Sequence, residues 1–171
     1  MDHTQMKPVA VQLLKYLVGI LLLALSTISH AEVIDGKVVG VLDGDTIDVL
    51  DAALVKHRIR LAGVDAPEKR QAYGERSKQS LSDMVFGEQV QVEAHKRDRY
   101  GRRVGKVLVN GQDANLQQIS LGMAWFYRQY ESELSPDDRR KYAGGELSAR
   151  QNGLGLWADK NPVPPWGFRR Q

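Results

Sequence analysis

The chain of 171 residues is long enough for one domain with a real core, and its formal charge of +3 is too mild for a histone-like polycation. It contains no cysteine, which excludes a disulfide framework, a thiolate nucleophile and a cysteine-based zinc site. Any contact with an acidic polymer must come from local placement of arginine and lysine.

At the N-terminus, Lys7 and Lys15 precede the apolar run Tyr16 to Leu25, followed by Ser26-Thr27-Ile28 and the small-x-small site Ser29-His30-Ala31. That order reads as an export signal, with cleavage after Ala31 and a mature chain starting at Glu32. An uncleaved anchor is the alternative, but a span needs about 20 apolar residues. This run is interrupted by Lys15 and then turns polar, so no stable membrane span is expected after cleavage. The expected organisation is a signal peptide over 1–31, a single domain over 32–158 and a proline-rich tail over 159–171. The expected location is secreted or periplasmic.

Val33 to Leu42 is rich in β-branched residues and broken by Gly36 and Gly40, which predicts a strand with bends or bulges. Asp43-Gly44 supplies a favoured hairpin turn, and Thr46 to Leu50 alternates like a returning strand. A third strand is expected at about His57 to Leu61, completing a meander. If its alternation continues, Arg60 and Val64 share one face and Leu61 lies on the other.

Helical spacing of Leu81, Met84 and Val85 predicts a helix over Tyr73 to Phe86, closed by Gly87. Strand alternation returns at Gln89 to Glu93. After the polar loop Arg97 to Arg103, a fifth strand is expected at Val104 to Val109, ending in the Asn110-Gly111 turn. Two further helices are predicted at Asn115 to Leu121 and Pro136 to Gln151, the second with Ser135 as N-cap and Pro136 at its first position. Gly144-Gly145 weakens its middle. The tail Asn161-Pro162-Val163-Pro164-Pro165-Trp166 is expected to run extended over the surface, as a ligand for another protein or as a strap packing Trp157 or Trp166 on the domain. Five strands with about three helices place the chain in the α+β class, as a small OB-type barrel. Such barrels commonly bind oligonucleotides.

Chemistry concentrates in three places. Asp45 opens an apolar strand, where an acid is disfavoured unless it has a partner. Asp65 and Glu68 end the run that Arg60 begins, and Arg102 sits in the glycine-containing loop. If Asp45 and Asp65 converge, a divalent cation relieves their repulsion, and both calcium and magnesium accept such oxygens. Arg60 and Arg102 would then suit the free oxygens of a phosphodiester, and Glu68 would accept a proton from an attacking water. Asp65-Ala66-Pro67-Glu68 fits a helix start as well, with Asp65 as N-cap and Glu68 reaching back; this reading remains open. Asp43 is explained by its turn. His57 and His95 read as isolated, partly buried surface histidines, and no zinc-hydrolase or serine-hydrolase pattern exists. Lys96-Arg97-Asp98-Arg99 with Arg102-Arg103 is the densest basic patch, a solvated face or a steering surface for a polynucleotide.

The segments Val41-Leu42-Asp43-Gly44-Asp45-Thr46, Arg58-Ile59-Arg60-Leu61-Ala62-Gly63-Val64-Asp65-Ala66-Pro67-Glu68 and Asp98-Arg99-Tyr100-Gly101-Arg102 resemble the three signature segments of the staphylococcal (thermonuclease) nuclease family. They stand in the same order at compatible separations. Gln71-Ala72-Tyr73-Gly74-Glu75 and Gly122-Met123-Ala124-Trp125 extend the likeness to roughly Val33 through Trp157. Three separated motifs are far more specific than one.

The resemblance implies an OB-fold barrel with a calcium-dependent phosphodiesterase site, holding one ion, that cleaves DNA and RNA and leaves 3′-phosphorylated products. By matching position it implies Asp45 and Asp65 as side-chain calcium ligands and the carbonyl of Ala66 as a third. It implies Glu68 as general base or water-orienting group, and Arg60 and Arg102 as phosphate-binding arginines. Where the family carries threonine this chain has Ala66, which keeps the carbonyl and loses a hydroxyl contact to water. Tyr100 follows the motif, and Tyr127 and Tyr130 lie near the family's nucleotide-stacking tyrosines; DNA and RNA, single-stranded or locally unpaired by preference, are the expected partners, and for Tyr127 and Tyr130 an aromatic cluster closing the core is the alternative. A monomer is expected. A noncatalytic OB-fold binding module and a surface or envelope interaction protein using the tail are the competing classes, and retention of Asp45, Arg60, Asp65, Glu68 and Arg102 together argues against the binding module.

Overall fold

The alternation of buried and exposed residues along the strands builds a curled sheet with one apolar side. The computed structural model describes residues 32–170; the expected signal over 1–31 lies outside them. The long strands are β1 (Glu32–Asp43), β2 (Thr46–Asp51), β3 (Lys56–Leu61), β5 (Gln89–Arg97) and β6 (Arg103–Val109), with short β4 (Val64–Asp65), β7 (Gln112–Asp113) and β8 (Trp125–Phe126). The order is β3-β2-β1-β5-β6, and β3 closes the barrel by pairing parallel with β6, Arg60 opposite Val104. Closure removes the sheet edges, as in an OB-type barrel. Ile47, Val49, Ile59, Val92 and Val107 are fully buried in its core. Register shifts in β1 fall between Val38 and Gly40 and between Val41 and Asp43, so the irregularity expected at Gly40 is a bulge, whereas Gly36 pairs in regular register with Asp51.

Helix α1 (Gly74–Val85) buries Ser77, Leu81 and Val85, which recur every four residues along one face. Helix α2 (Ala114–Ser120) is capped by Asp113, whose side chain accepts the Leu116 N–H. Helix α3 (Pro136–Gln151) starts at its predicted residue with Ser135 accepting the Asp138 N–H, and it runs unbroken through Gly144-Gly145.

Several local expectations are corrected. The first hairpin turns on Gly44 and Asp45, between paired Asp43 and Thr46, one residue later than the Asp43-Gly44 pair. Asp45 is therefore a turn residue and does not open β2. The run from Arg60 to Glu68 is not one strand either: β3 stops at Leu61, and Gly63, at φ +69, turns the chain into β4. Arg60 and Val64 meet through that turn and not through alternation. No helix starts at Asp65; Ala66 to Tyr73 is irregular, and α1 is preceded by Tyr73 at φ +68 with no side-chain cap. The capping reading of Asp65 and Glu68 is thereby overturned. His57 is buried, not partly exposed, with Nε2 2.6 Å from Asp51 Oδ2.

The tail does not run extended throughout. Pro165–Phe168 forms a helical turn, α4, and Trp166 packs on Trp125 and Tyr127, in keeping with the strap reading. No helix among the described residues is long and apolar enough to cross a membrane.

Candidate active site

The site begins with two loops that the core fastens from beneath. Gln118, fully buried on α2, donates to the carbonyl of Gly44 at 2.8 Å and to that of Ser77 at 3.1 Å. Three residues earlier, buried Asn115 donates to the carbonyls of Ala62 and Gly105 at 3.0 and 3.2 Å and accepts the Val107 N–H. Two of these acceptors, the carbonyls of Gly44 and Ala62, belong to turns, so the amides hold both carboxylate-bearing segments on one helix. Neither residue stood out in the sequence; the signal that points to them is two amides at i, i+3 beside the apolar Ile119.

Asp45 and Asp65 converge. Asp45 Oδ2 accepts the Ala66 N–H at 2.9 Å, and its Oδ1 accepts the Thr46 hydroxyl at 2.9 Å. Arg60 lies between the two acids, with Nη1 3.2 Å from Asp45 Oδ1 and Nη2 3.0 Å from Asp65 Oδ1 and 2.9 Å from the Val64 carbonyl. Burial works against the guanidinium's charge, but Asp45 and Asp65 together hold it more firmly protonated than usual. Burial raises the Asp65 carboxyl's pKa despite the lowering by Arg169 and Arg60. Asp43, read from the sequence as a turn residue, also lines the cleft; burial, then the charge of Asp45, pushes it up to about 6.

Arg102 joins from the loop between β5 and β6. Asp98 folds its loop, accepting the N–H groups of Tyr100 and Arg102 on Oδ1 at 2.9 and 3.0 Å, while Gly101 turns at φ +80. Asp98 Oδ2 accepts Arg102 Nε at 2.7 Å, and Arg102 Nη1 lies 3.5 Å from the Thr46 hydroxyl. Asp98 and Thr46 are thus the parts of the motifs that aim Arg102, a role invisible in spacing alone.

These residues line an open cleft of about 550 Å³ that includes Asp45, Arg60, Ala66, Glu68 and Arg102. Asp65 is fully buried just beneath, covered by Arg60 and by a residue from the tail, Arg169, whose Nη2 lies 2.8 Å from Asp65 Oδ2. Tyr127 and Tyr130 meet edge to face at 5.2 Å on the cleft wall, and Tyr100 is 70% exposed at its rim, so these tyrosines do not close the core. The basic patch divides: Lys96, Arg97, Arg99 and Arg102 line the cleft, whereas Arg103 pairs with Glu32 at 2.9 Å.

Among the described residues no three His, Cys, Asp or Glu side chains cluster to hold a metal. The two convergent carboxylates, with Ala66 beside them in the cleft wall, nevertheless offer oxygen donors, which suit a hard cation completed by water. Asp43, Asp45 and Asp65 also outnumber Arg60 and Arg169, the two guanidinium groups that lie against them.

The family model of staphylococcal nuclease homologues matches residues 58–159. A Haemophilus influenzae protein described as an uncharacterized endonuclease is 40% identical over 135 residues, 79% of this chain and 72% of the relative. A micrococcal nuclease of Shigella flexneri is 44% identical over 144 residues, 79% of this chain and 80% of the relative. A staphylococcal-like nuclease of Arabidopsis thaliana is 40% identical over 115 residues, 67% of this chain and 34% of the relative.

Proposed function

The chain belongs to the staphylococcal nuclease family, and from that premise we propose that it is an exported, calcium-dependent nuclease. It hydrolyses phosphodiester bonds of DNA and RNA with little sugar specificity and leaves 3′-phosphorylated products. The observation that carries this reading is the convergence of Asp45, Arg60 and Asp65 on one cleft with Glu68 and Arg102.

Asp45, Asp65 and the Ala66 carbonyl would hold one calcium ion, which when bound supplies positive charge to a phosphoryl oxygen. Arg60 and Arg102 bind the remaining phosphate oxygens with planar forks and oppose the negative charge that grows there during attack. Their placement before substrate arrives is what makes them effective, because Thr46, Asp98 and Val64 already aim them. Glu68 accepts the proton as a water oxygen bonds to phosphorus. A 3′-phosphate product requires the bond to the 5′ oxygen of the next nucleotide to break, and that oxygen leaves with a proton as a 5′ hydroxyl.

Tyr100, Tyr127 and Tyr130 offer ring faces for stacking, which favours single-stranded or locally unpaired substrate, and Arg97 and Arg99 draw the backbone in. Lys7, Lys15, the apolar run and Ala31 support export with cleavage, to a secreted or periplasmic location, and we read the protein as a monomer.

Digestion of single-stranded DNA and RNA, with calcium or with chelator, beside Glu68→Ala and Arg60→Ala, tests the reading. Arg60→Ala is expected to lower kcat about 10²- to 10³-fold, as for other preorganised donors, and end-group analysis to find 3′ phosphates. Activity in chelator, or full activity in both variants, overturns it.

A further inference from the structure

The tail lies beyond the segment that the family model matches, yet it ends in the cleft. One helical turn cannot hold itself, since nucleation is unfavourable. Here α4 is pinned: Pro165 is buried, and Trp166 meets Trp125 edge-on and stacks on Tyr127 at 16°, with both centroid distances 5.4 Å. A second tie runs through Gln71, whose Oε1 accepts the Glu68 N–H at 3.1 Å while its Nε2 donates to the Val163 carbonyl. The loop that carries Glu68 and the tail are thus joined before any charge is considered.

Arg169 follows α4. Its Nη1 donates to Glu68 Oε1 at 2.7 Å and approaches Asp65 Oδ1 at 3.3 Å, and its Nη2 donates to Asp65 Oδ2 at 2.8 Å. Glu68 sits on irregular backbone with its side chain 40% exposed, and among the described residues Arg169 is the one side chain hydrogen-bonded to its carboxylate. Resting on the reading of Glu68 as the proton acceptor for the attacking water, we propose that Arg169 is a positioning residue that fixes the Glu68 carboxylate beside Asp65, with Trp166 as its anchor.

A guanidinium in this place also resembles a plug that a cation must expel. Charge and valence favour positioning. Asp43, Asp45, Asp65 and Glu68 still outnumber the guanidinium groups that lie against them, Arg60 and Arg169, while Arg102 and Lys96 are taken up by Asp98 and Glu133, so a divalent cation between the carboxylates finds locally unbalanced charge with Arg169 in place. Each carboxylate oxygen also has two acceptor directions: Arg60 and Arg169 take both on Asp65 Oδ1, and Arg169 takes one on Oδ2, which leaves the second there open. Glu68 moreover remains a partner for Arg169 if Asp65 turns toward an ion.

The test measures steady-state cleavage of single-stranded DNA at saturating calcium by the full chain and its variants. Arg169→Gln is expected to lower kcat about 10- to 100-fold with KM within about threefold, and Arg169→Lys to recover part of the loss. Trp166→Ala should lower kcat in the same direction. Arg170→Gln, an equal change of charge at the exposed neighbouring residue, should stay within about twofold. Added to Glu68→Ala, Arg169→Gln should lower kcat by no more than about threefold further, because a residue that acts through Glu68 has nothing left to position. Tryptophan emission of Arg169→Gln should match that of the parent, which reports that the tail is still docked.

A kcat that rises in Arg169→Gln identifies a plug and overturns the proposal, as does an unchanged kcat or a fully additive double variant. If instead Glu68→Ala itself keeps full activity, the reading of Glu68 has failed. An inactive Glu68→Ala beside a fully active Arg169→Gln rejects the positioning role alone.

Discussion

Asp45 Oδ2 accepts the backbone N–H of Ala66 at 2.9 Å, tying the β1–β2 turn to the loop that follows β4. The contact gives Asp45 a structural duty beside its charge. Asp45→Asn keeps an acceptor for that N–H, whereas Asp45→Ala leaves it buried and unpaired, a loss of about 1–3 kcal/mol. Urea denaturation in chelator should therefore find Asp45→Asn more stable than Asp45→Ala by that amount. Calcium should raise the melting temperature of the parent and of neither variant.

Gly63 turns the chain at φ +69, and a Cβ added there would stand 2.6 Å from Leu134 Cδ1. Gly63→Ala adds left-handed strain of about 1–2 kcal/mol to that clash. Because this turn brings Val64 and Asp65 to Arg60, the variant should lose at least tenfold in kcat as well as stability. A variant of unchanged kcat would mean that the Arg60 to Asp65 geometry tolerates a displaced β4.

Glu146 on α3 is almost fully buried and accepts the Phe126 N–H at 3.1 Å and Arg128 Nη1 at 2.8 Å. Phe126 of β8 pairs with Val64 of β4, so this carboxylate supports the strand that carries Asp65. Glu146→Ala leaves the N–H unpaired and should lower stability by about 2 kcal/mol in chemical denaturation. Arg128 is half exposed and can return to water, so Arg128→Ala should lower it less.

His95 titrates lower than an ordinary imidazole, chiefly because burial disfavours its charge, with Lys96 adding to the effect and Glu133, 3.9 Å away, opposing it. The folded state thus binds this proton less readily than the unfolded chain. The neutral ring's contribution is present above the ordinary pKa and is lost as pH falls from about 6.5 through the lowered value. Denaturation midpoints of the metal-free protein should fall from pH 7.5 to pH 5 more steeply for the parent than for His95→Gln. Equal slopes would remove His95 as a cause.

What was legible in the sequence was whatever depends on local pattern. Apolar positions recurring among polar ones mark the long strands, and the start of α3 follows from Ser135 and Pro136 because a cap is a contact between near neighbours. The acids and arginines of the three motifs were legible as candidates because few folds place such charges beside apolar strands without a partner. The turn at Gly63 was missed because alternation carries no information on where pairing stops, and the supposed cap at Asp65 dissolved because Arg60 and Arg169 had stronger claims on that carboxylate.

The sequence by itself determined the kinds of group available: the carboxylates of Asp45, Asp65 and Glu68 and the guanidinium groups of Arg60 and Arg102. Tertiary structure alone decided which groups meet. Asn115 and Gln118 fasten two distant turns to one helix, and Arg169 reaches Glu68 across 101 positions. Such contacts are fixed by barrel closure and aromatic packing, whose distances no local spacing along the chain encodes.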